Sequence, residues 1–464
     1  MTHISKILAV PATGAYYYED LTALQTHPLP PVGRYTADPV TEGFGIVREV
    51  SEAVSVGLVL DDDTVAWGDC VAVAYSGKAG RAGVFRTAEG LDTVQRVVAP
   101  VLQGRELTSF RALAAEVDAL TESVTVMRPL PQPEQEKVED PSRRKLLSSV
   151  ARLLSPYPDD ETGDDVPMEQ VVVERPLHTA IRYGVSQALL KAVAITRGLT
   201  MAEVIAQEWD LPRPDALIPI HAQSGSERFA NADKMIVRRV ASLPHALVDN
   251  IPEQLGDDGL KLTRYLKWLH GRIEQLGGDD YFPTIHLDVH GTLGQIFEND
   301  LGRVLGKLYA LEYAAQPYSL RVECPVMMES RAAQIKAMQT LRNYISLRKM
   351  SVKLVVDEWA NTLDDIRAFI DADAADMIQI KMPDLGSVHN SVEAVLACQA
   401  GGVGAFLGGS CAETDLSARV AVHVALATRP DIIMAKPGMG VDEGVTIVQN
   451  EMTRTLAWIR AREA

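Results

Sequence analysis

An α/β barrel of alternating strands and helices, preceded by a smaller mixed domain, is the fold class that this sequence predicts. Three observations carry the prediction. At 464 residues the chain is long for one average domain and suits a barrel plus a second unit. Four short apolar runs in its second half each end on a polar side chain: Thr284-Ile-His-Leu-Asp288, Ser319-Leu-Arg-Val-Glu323, Val352-Lys-Leu-Val-Val-Asp357 and Met377-Ile-Gln-Ile-Lys381. Runs of this length and β-branched content, bounded by turn signals, read as buried strands. Their spacing is the third observation: 35 positions separate Asp288 from Glu323, 34 separate Glu323 from Asp357, and 24 separate Asp357 from Lys381. One strand–helix unit fits each interval, and barrel sites form at the C-terminal strand ends.

The remaining elements follow in order. Residues 1–127 read as mixed α and β, with strands expected over Glu42–Val50 and Ser55–Leu60, an acidic turn at Asp61–Asp63, and a strand from Thr64. Phe110, Leu113, Ala114 and Val117 recur at helical spacing. From about 129 to 176 prolines and acidic clusters give the composition of an insertion, with a short helix over Ser142–Ser155 serving as a docked surface element, an oligomer contact or a lid. Ala180, Ile181, Val185, Ala188 and Leu189 mark a helix, and Thr200-Met-Ala-Glu203 is a capping box for the next. Leu217–Gln223 and Leu243–Val248 are the first two barrel strands, Gly404–Cys411 and Ile432–Pro437 the last two. Helices are expected between them, as at Leu260–Leu276 and Ser391–Ala400, and at the end over Val445–Arg462. The domains are then 1–213, with 129–176 inserted, and 214–464, a barrel with a C-terminal helix.

Composition narrows the function classes. A formal charge of −17 disfavours nucleic acid and anionic membranes as partners. Cys70, Cys324, Cys398 and Cys411 lie far apart without a CxxC pair, against a disulfide framework or zinc site and in keeping with a reducing compartment. The N-terminus lacks a signal-peptide pattern, and no apolar run approaches the ~18 residues of a membrane span. A cytoplasmic protein is expected.

The strand ends carry the chemistry. Asp288, Glu323 and Asp357 on neighbouring strands would converge on one point, and three hard oxygen ligands suit Mg²⁺ better than zinc. A proton next to a carboxylate is weakly acidic; its removal needs a stabilised enolate and a base. Lys381 is placed to be that base, with burial and a nearby Mg²⁺ both lowering its pKa. Gln379 lies two residues earlier, on the same strand face. Blander readings stand beside these. A single strand-end Asp is commonly a helix N-cap, His245 alone is a structural histidine, Gln223 a buried amide, and Gly408-Gly-Ser-Cys411 a phosphate-cradling turn only on weak grounds. Cys411 has no motif pairing it with a base.

Several longer motifs together carry a resemblance: Leu177-His-Thr-Ala-Ile-Arg-Tyr-Gly184, Ala222-Gln-Ser-Gly225, Leu243-Pro-His-Ala-Leu247, Asp357-Glu-Trp359, Gln379-Ile-Lys381, Gly408-Gly-Ser-Cys-Ala-Glu-Thr414 and Lys436-Pro-Gly-Met-Gly-Val-Asp-Glu-Gly444. The chain resembles methylaspartate ammonia-lyase, of the enolase superfamily, over nearly all its length except about 129–176. The resemblance implies an N-terminal α+β capping domain on a TIM-type barrel, a homodimer, Mg²⁺ with K⁺ as activator, and reversible loss of ammonia from L-threo-3-methylaspartate to give mesaconate. Lysine or histidine bases beside Mg²⁺ are the superfamily's pattern. Matched by motif, Asp288, Glu323 and Asp357 would hold Mg²⁺. Lys381 would take the C3 proton, and His245, on the opposite face, would contact the substrate carboxylate and serve the other epimer. Gln223, Gln379, Ser410 and Cys411 would hold the carboxylates.

Departures from the family pattern fall in the substrate pocket. The family carries Gln where this chain has Ala74, an apolar aromatic at His221, Tyr at Phe406 and Leu at Met434. Ser410, Met382 and Ala412 also differ. Ala74 and His221 suggest an N-substituted or larger aspartate as substrate, with neutral drift as the alternative. Another superfamily reaction, dehydration or racemisation, uses the same metal and base, and a non-catalytic binding protein is a third reading.

Overall fold

The computed structural model describes residues 2–26, 29–30, 32–129, 168–225, 227–436 and 438–462. It divides into two compact units, Met1–Leu120 with Leu177–Ala464, and Thr121–Pro176. The first unit begins with an antiparallel sheet of three strands in the order β1 (Ile4–Glu19), β2 (Arg48–Leu60) and β3 (Val65–Val71). The acidic turn joins β2 to β3, where the Thr64 amide donates to Asp62 Oδ1 at 3.0 Å. One strand, β2, stands where two were expected. It starts only at Arg48, because Glu42–Val47 is irregular and Gly43 takes a φ of 93°. The sequence reading did not foresee β1, whose runs of exposed and half-buried residues leave little apolar contrast.

A helix over Thr179–Arg197 lies against β3 at backbone distance. A Cβ on Gly68 would sit 2.1 Å from the Gly184 carbonyl oxygen, and one on Gly184 would sit 2.3 Å from the Cys70 nitrogen, so both positions exclude a side chain. Gln187 seals the contact: its Nε2 donates to the Asp69 carbonyl at 3.0 Å and its Oε1 accepts from the Asp69 amide at 3.3 Å. The next helix, Met201–Glu208, opens on the expected capping box of Thr200 and Glu203. The helix expected near Phe110 spans Phe110–Asp118 and is capped by Ser109.

The second unit is an antiparallel pair, β4 (Thr121–Pro129) and β5 (Met168–Pro176), in register from Thr121↔Pro176 to Pro129↔Met168. The last part of the expected insertion is therefore a strand. Val171, Val172 and Val173 supply the β-branched run that the flanking prolines masked. The helix expected over 142–155 lies outside the described residues.

Eight parallel strands close into a barrel in chain order: β6 (Ile220–His221), β7 (Ser242–His245), β8 (Thr284–Asp288), β9 (Leu320–Glu323), β10 (Lys353–Val356), β11 (Met377–Ile380), β12 (Gly404–Leu407) and β13 (Ile432–Met434). Seven fall within the runs that the sequence assigns to strands, and β7 starts one residue ahead of its run, at Ser242. They are short, two to five residues each, and helices such as Leu260–Gly277, Leu301–Ala315 and Val388–Ala400 separate most of them. Val448, Met452, Leu456 and Ile459 of the terminal helix, Val441–Ala461, are buried as their spacing predicts. Strand alternation sets the barrel interior in layers. Val355, Met377, Phe406, Ile432 and Met434 form a buried apolar cluster of their own. Above Met377 on its strand face come Gln379 and then Lys381. No helix among the described residues is long and apolar enough to cross a membrane.

Candidate active site

The side chains singled out at the strand ends gather at one mouth of the barrel. His245, Asp288 and Glu323 close β7, β8 and β9, while Asp357 and Lys381 follow β10 and β11 by one residue. Asp288 and Glu323 are direct register partners. The strand ends turn sharply. His245, Ala246 and Leu247 have φ values of 68°, 73° and 41°, and Cys324 and Trp359 are also left-handed, at 43° and 68°. Non-glycine residues in this region cost roughly 1–3 kcal/mol each, a strain that concentrates at functional sites. Cys324 earns its place as an acceptor: its buried thiol lies 3.3 and 3.4 Å from the amides of Asp357 and Glu358 and fixes the loop bearing both acids.

Each carboxylate has distinct partners. Asp288 Oδ2 lies 3.2 Å from His245 Nε2, and its Oδ1 is 2.8 Å from His290 Nδ1, an ion-pair distance without hydrogen-bond alignment. Burial alone would raise Asp288, but His290 and His245 hold it well below the usual carboxylate range. Burial works against the charge on His290 too, yet Asp288 and Glu358 push it up to about 9. Glu323 accepts from His286 Nε2 at 2.6 Å and from Gln379 Nε2. Burial, then the charges of Asp288 and Asp357, drive Glu323 well above its ordinary range. Asp357 is held by Lys381 Nζ at 2.6 Å and by Arg81 Nη2 at 3.0 Å.

Lys381 is pulled in both directions by its surroundings. Burial and Arg81 act to lower its pKa, but Asp357, Asp384 and Glu358 outweigh them and raise it. The carboxylates therefore keep this ammonium charged until another cation engages them. Among the described residues, five buried acids, Asp288, Glu323, Asp357, Glu358 and Asp384, face the full cations Arg81 and Lys381, with His290 beside them. Both Glu358 carboxylate oxygens and Gln379 Oε1 are buried without a hydrogen bond. Surplus buried negative charge with orphaned oxygens is the donor chemistry of a hard divalent cation. A second grouping, His245, His286 and Glu323, brings three ligand atoms within 4.8 Å of one another. It is richer in nitrogen, and both of its histidines already have hydrogen-bond partners, so the oxygen-rich side fits Mg²⁺ better.

The Gly408–Cys411 turn closes one wall. A Cβ on Gly408 would meet Gln379 Cγ at 2.5 Å, and one on Gly409 would meet Glu413 Oε2 at 2.0 Å and Lys436 Nζ at 2.6 Å. The glycine pair is thus required by close approach rather than by a phosphate. Lys436 and Glu413, both buried, pair at 3.1 Å, and Glu413 also takes the Ser410 amide at 3.0 Å and the Tyr183 hydroxyl at 2.9 Å. Ser410 Oγ donates to the Ala72 carbonyl at 2.8 Å, tying this wall to the N-terminal segment. Cys411 Sγ lies 3.7 Å from Gln223 Oε1, and burial pushes its thiol up to about 12, away from the thiolate that a nucleophile needs.

A small cavity is lined by Ala74, Gln223, His245, Asp288, Asp357, Gln379, Lys381, Ser410, Cys411 and Met434, with Tyr75, Arg81, Leu247 and His290 among the others. Its charged and polar lining suits a small polar ligand. His221 and Phe406 do not border it. They lie one layer deeper, fully buried, with ring centroids 5.1 Å apart. A direct pocket contact was expected of both; strand alternation instead places His221 below Gln223 on the same face. Sequence reasoning missed Arg81, Asp384, Glu358, His286 and His290. His286 was readable by the alternation that located Gln379. Arg81 arrives from a glycine-rich loop 276 positions before Asp357, and no local pattern signals that meeting.

Comparison with known proteins agrees with the geometry. The model for the methylaspartate ammonia-lyase C-terminus matches residues 213–461, and that for the N-terminus matches 2–130 and 161–210. Methylaspartate ammonia-lyase 2 of Carboxydothermus hydrogenoformans is 43% identical over 455 residues, covering 98% of each chain. The Clostridium tetanomorphum β-methylaspartase structure, a Mg complex, superposes with a TM-score of 0.81 at 39% identity over 99% of this chain and all of that one. The Citrobacter amalonaticus methylaspartate ammonia-lyase structure, containing (2S,3S)-3-methylaspartic acid, gives a TM-score of 0.84 at 39% identity with the same coverage. Muconate lactonizing enzyme from Pseudomonas fluorescens, at 14% identity and a TM-score of 0.56 over 92% of this chain and 85% of its own, shares the fold alone. The chain belongs to the methylaspartate ammonia-lyase family of enzymes, on an eight-stranded parallel barrel.

Proposed function

We propose that this enzyme is a Mg²⁺-dependent carbon–nitrogen lyase that reversibly eliminates ammonia from 3-methylaspartate, or a close relative of it, to give mesaconate or the corresponding fumarate. The observation that carries the reading is the placement of two bases. Lys381 follows β11 and His245 ends β7, four strands apart in either direction around an eight-stranded barrel, with the acids of β8, β9 and β10 between them. A substrate carbon above those acids would be flanked on both faces.

Asp288, Glu323 and Asp357 would hold Mg²⁺, with K⁺ as activator; when bound, the metal supplies positive charge that stabilises a developing enolate and offsets the carboxylates around Lys381. Lys381 accepts the C3 proton once it is neutral. The C3–H electron pair then becomes the C2–C3 double bond as the C2–N bond breaks, and the amine leaves. His245 donates to the substrate carboxylate and serves as the base for the opposite C3 epimer. Gln223, Gln379, Ser410 and Cys411 orient the two carboxylates, and Met434 packs against the alkyl group. Residues 1–213 form the capping domain, with 129–176 inserted, and 214–464 the catalytic barrel. The protein is a cytoplasmic homodimer acting on a small amino acid, with neither nucleic acid nor membrane as partner.

The test is ultraviolet absorbance during incubation with L-threo-3-methylaspartate, Mg²⁺ and K⁺. A rise from the conjugated diacid that EDTA abolishes is expected. Absence of a rise in protein that binds Mg²⁺ would overturn this substrate. A second reading, an N-substituted or larger aspartate, is favoured by Ala74, which presents only a methyl to the cavity. It fails if ammonia greatly outperforms methylamine in the addition direction.

A further inference from the structure

One loop of the N-terminal segment, residues 73–82, joins the site at both of its ends. Val73, Ala74 and Tyr75 line the cavity at its start, and Arg81 lines it near its end. Between them the loop closes on itself: the Gly77 amide donates to the Ala82 carbonyl at 2.8 Å, and the Arg81 amide to the Lys78 carbonyl at 3.1 Å. Gly77, Ala79 and Gly80 are left-handed, with φ values of 74°, 51° and 79°. Glycine takes this conformation freely; an alanine keeps it only where its surroundings hold it there. Asn361 does the holding, for its Nδ2 donates to the Ala79 carbonyl at 2.6 Å. Asn361 is buried and stands outside the cavity lining. A Cβ on Gly80 would meet Trp359 Cζ3 at 3.2 Å and Asn361 Nδ2 at 3.3 Å, so the loop lies close against the segment that follows β10. Arg81 uses that placement. Its side chain is fully buried, with Nη2 donating to Asp357 Oδ1 at 3.0 Å and Nε to Asp384 Oδ2 at 2.9 Å. One planar guanidinium thus ties the end of β10 to the loop after β11, a fork that the single nitrogen of a lysine does not reproduce. Lys381 Nζ holds the other Asp357 oxygen at 2.6 Å. With Oδ1 pinned by Arg81, the Asp357 carboxylate does not turn about its last bond, and Oδ2 keeps one direction.

We infer that Asn361 is a positioning residue: by clasping the Ala79 carbonyl it seats the 73–82 loop so that Arg81 orients Asp357 while Ala74 and Tyr75 face the substrate. The inference rests on the proposed metal site and substrate. A group that hydrogen-bonds a metal-binding carboxylate from behind sets the direction in which that carboxylate meets the metal. Here that group arrives on the same loop as one wall of the substrate cavity. The acid and the wall are therefore set as one piece, and Asn361, which lines no part of the cavity, governs both.

The test uses the full chain in three variants. Asn361→Leu keeps the volume and loses the donor, Arg81→Lys keeps the charge and loses the fork, and the third carries both changes. Calorimetry gives the Mg²⁺ Kd, and initial rates on L-threo-3-methylaspartate give KM and kcat. Amide hydrogen exchange reads the 73–82 loop without metal or substrate. Asn361→Leu should raise the Mg²⁺ Kd about fivefold and KM about tenfold, with kcat within about threefold of wild type. Its loop amides should exchange at least about tenfold faster. Arg81→Lys should raise the Mg²⁺ Kd about tenfold or more. The double variant should match the Mg²⁺ Kd of Arg81→Lys within about twofold, because Asn361 reaches the metal acid through Arg81; a residue that acted independently would multiply its effect onto the other. Loop exchange and an Mg²⁺ Kd within about twofold of wild type in Asn361→Leu, or a double variant whose Kd shows the product of the single effects, would overturn the inference. Should Asn361→Leu fail to fold, Asn361→Ser, whose side chain is too short for the clasp, is read in the same way. A wild type that binds no Mg²⁺ or leaves this substrate unchanged overturns the proposed function instead, and loop exchange then decides the clasp.

Discussion

The two sides of the barrel mouth hold their proton-transfer groups by opposite means. Around β7, His245 is set by a chain of neutral hydrogen bonds through His221 to Ser242. Around β10 and β11, Lys381 is set by full charges: Asp357 at 2.6 Å, with Arg81 reaching Asp357 at 3.0 Å and Asp384 at 2.9 Å. Directed hydrogen bonds fix which nitrogen carries a proton, whereas charge pairs fix whether a group carries one at all. A lysine that must release and regain its proton is served by the second device, and an imidazole whose ring must be held in place by the first. The lesson is that burial does not determine protonation; the partners do.

Variants that cut each side separately sharpen this contrast, the largest effect first. Lys381→Ala should lower elimination of the threo substrate by about 10²–10⁴-fold while leaving Mg²⁺ binding detectable by calorimetry. Equal turnover in this variant would break the assignment. Arg81→Met should be the more damaging to the fold. It strands Asp384 in a buried site and leaves Asp357 to Lys381 alone, a loss of about 3–5 kcal/mol in chemical denaturation. The neutral side should be milder: Ser242→Ala removes one buried hydrogen bond, worth about 1–3 kcal/mol. A loss as large as that of Arg81→Met would erase the distinction. Gly409→Ala tests the wall between the two sides, forcing a methyl against Glu413 and Lys436 for about 1–3 kcal/mol and a raised KM.

The smallest effect is expected remote from both sides. Burial would raise Glu451, but His423 and Arg419 bring it down to about 2 from its ordinary value of 4.5. A depressed carboxylate stabilises the fold above its unfolded pKa and loses that contribution as pH falls through the folded one. Glu451→Gln should therefore cost about 1–2 kcal/mol at pH 7, a difference that shrinks between pH 4.5 and about 2. A pH-independent difference would mean that the effect is packing alone.

The sequence was legible where chemistry and periodicity coincide. The apolar runs ending at Asp288, Glu323, Asp357 and Lys381 located four strands and the acids at their ends, because a buried parallel strand must be apolar until it emerges. Gln379 followed from strand alternation. The long strand Ile4–Glu19 was not legible, since half-exposed residues carry little periodic contrast. Nor was Arg81, whose role depends on a meeting across 276 positions. His221 was legible as a residue out of pattern but not as a layer beneath the cavity, because depth along a strand of two residues depends on the closed barrel.

The Cys324 thiol, which accepts from the amides of Asp357 and Glu358, gives the protein a built-in clock. A reagent that alkylates it must wait for the barrel mouth to breathe, so its labelling rate counts opening events of the loop that carries the acids. Ligands that bridge the strand ends should slow the clock, a readout of site closure that requires no turnover.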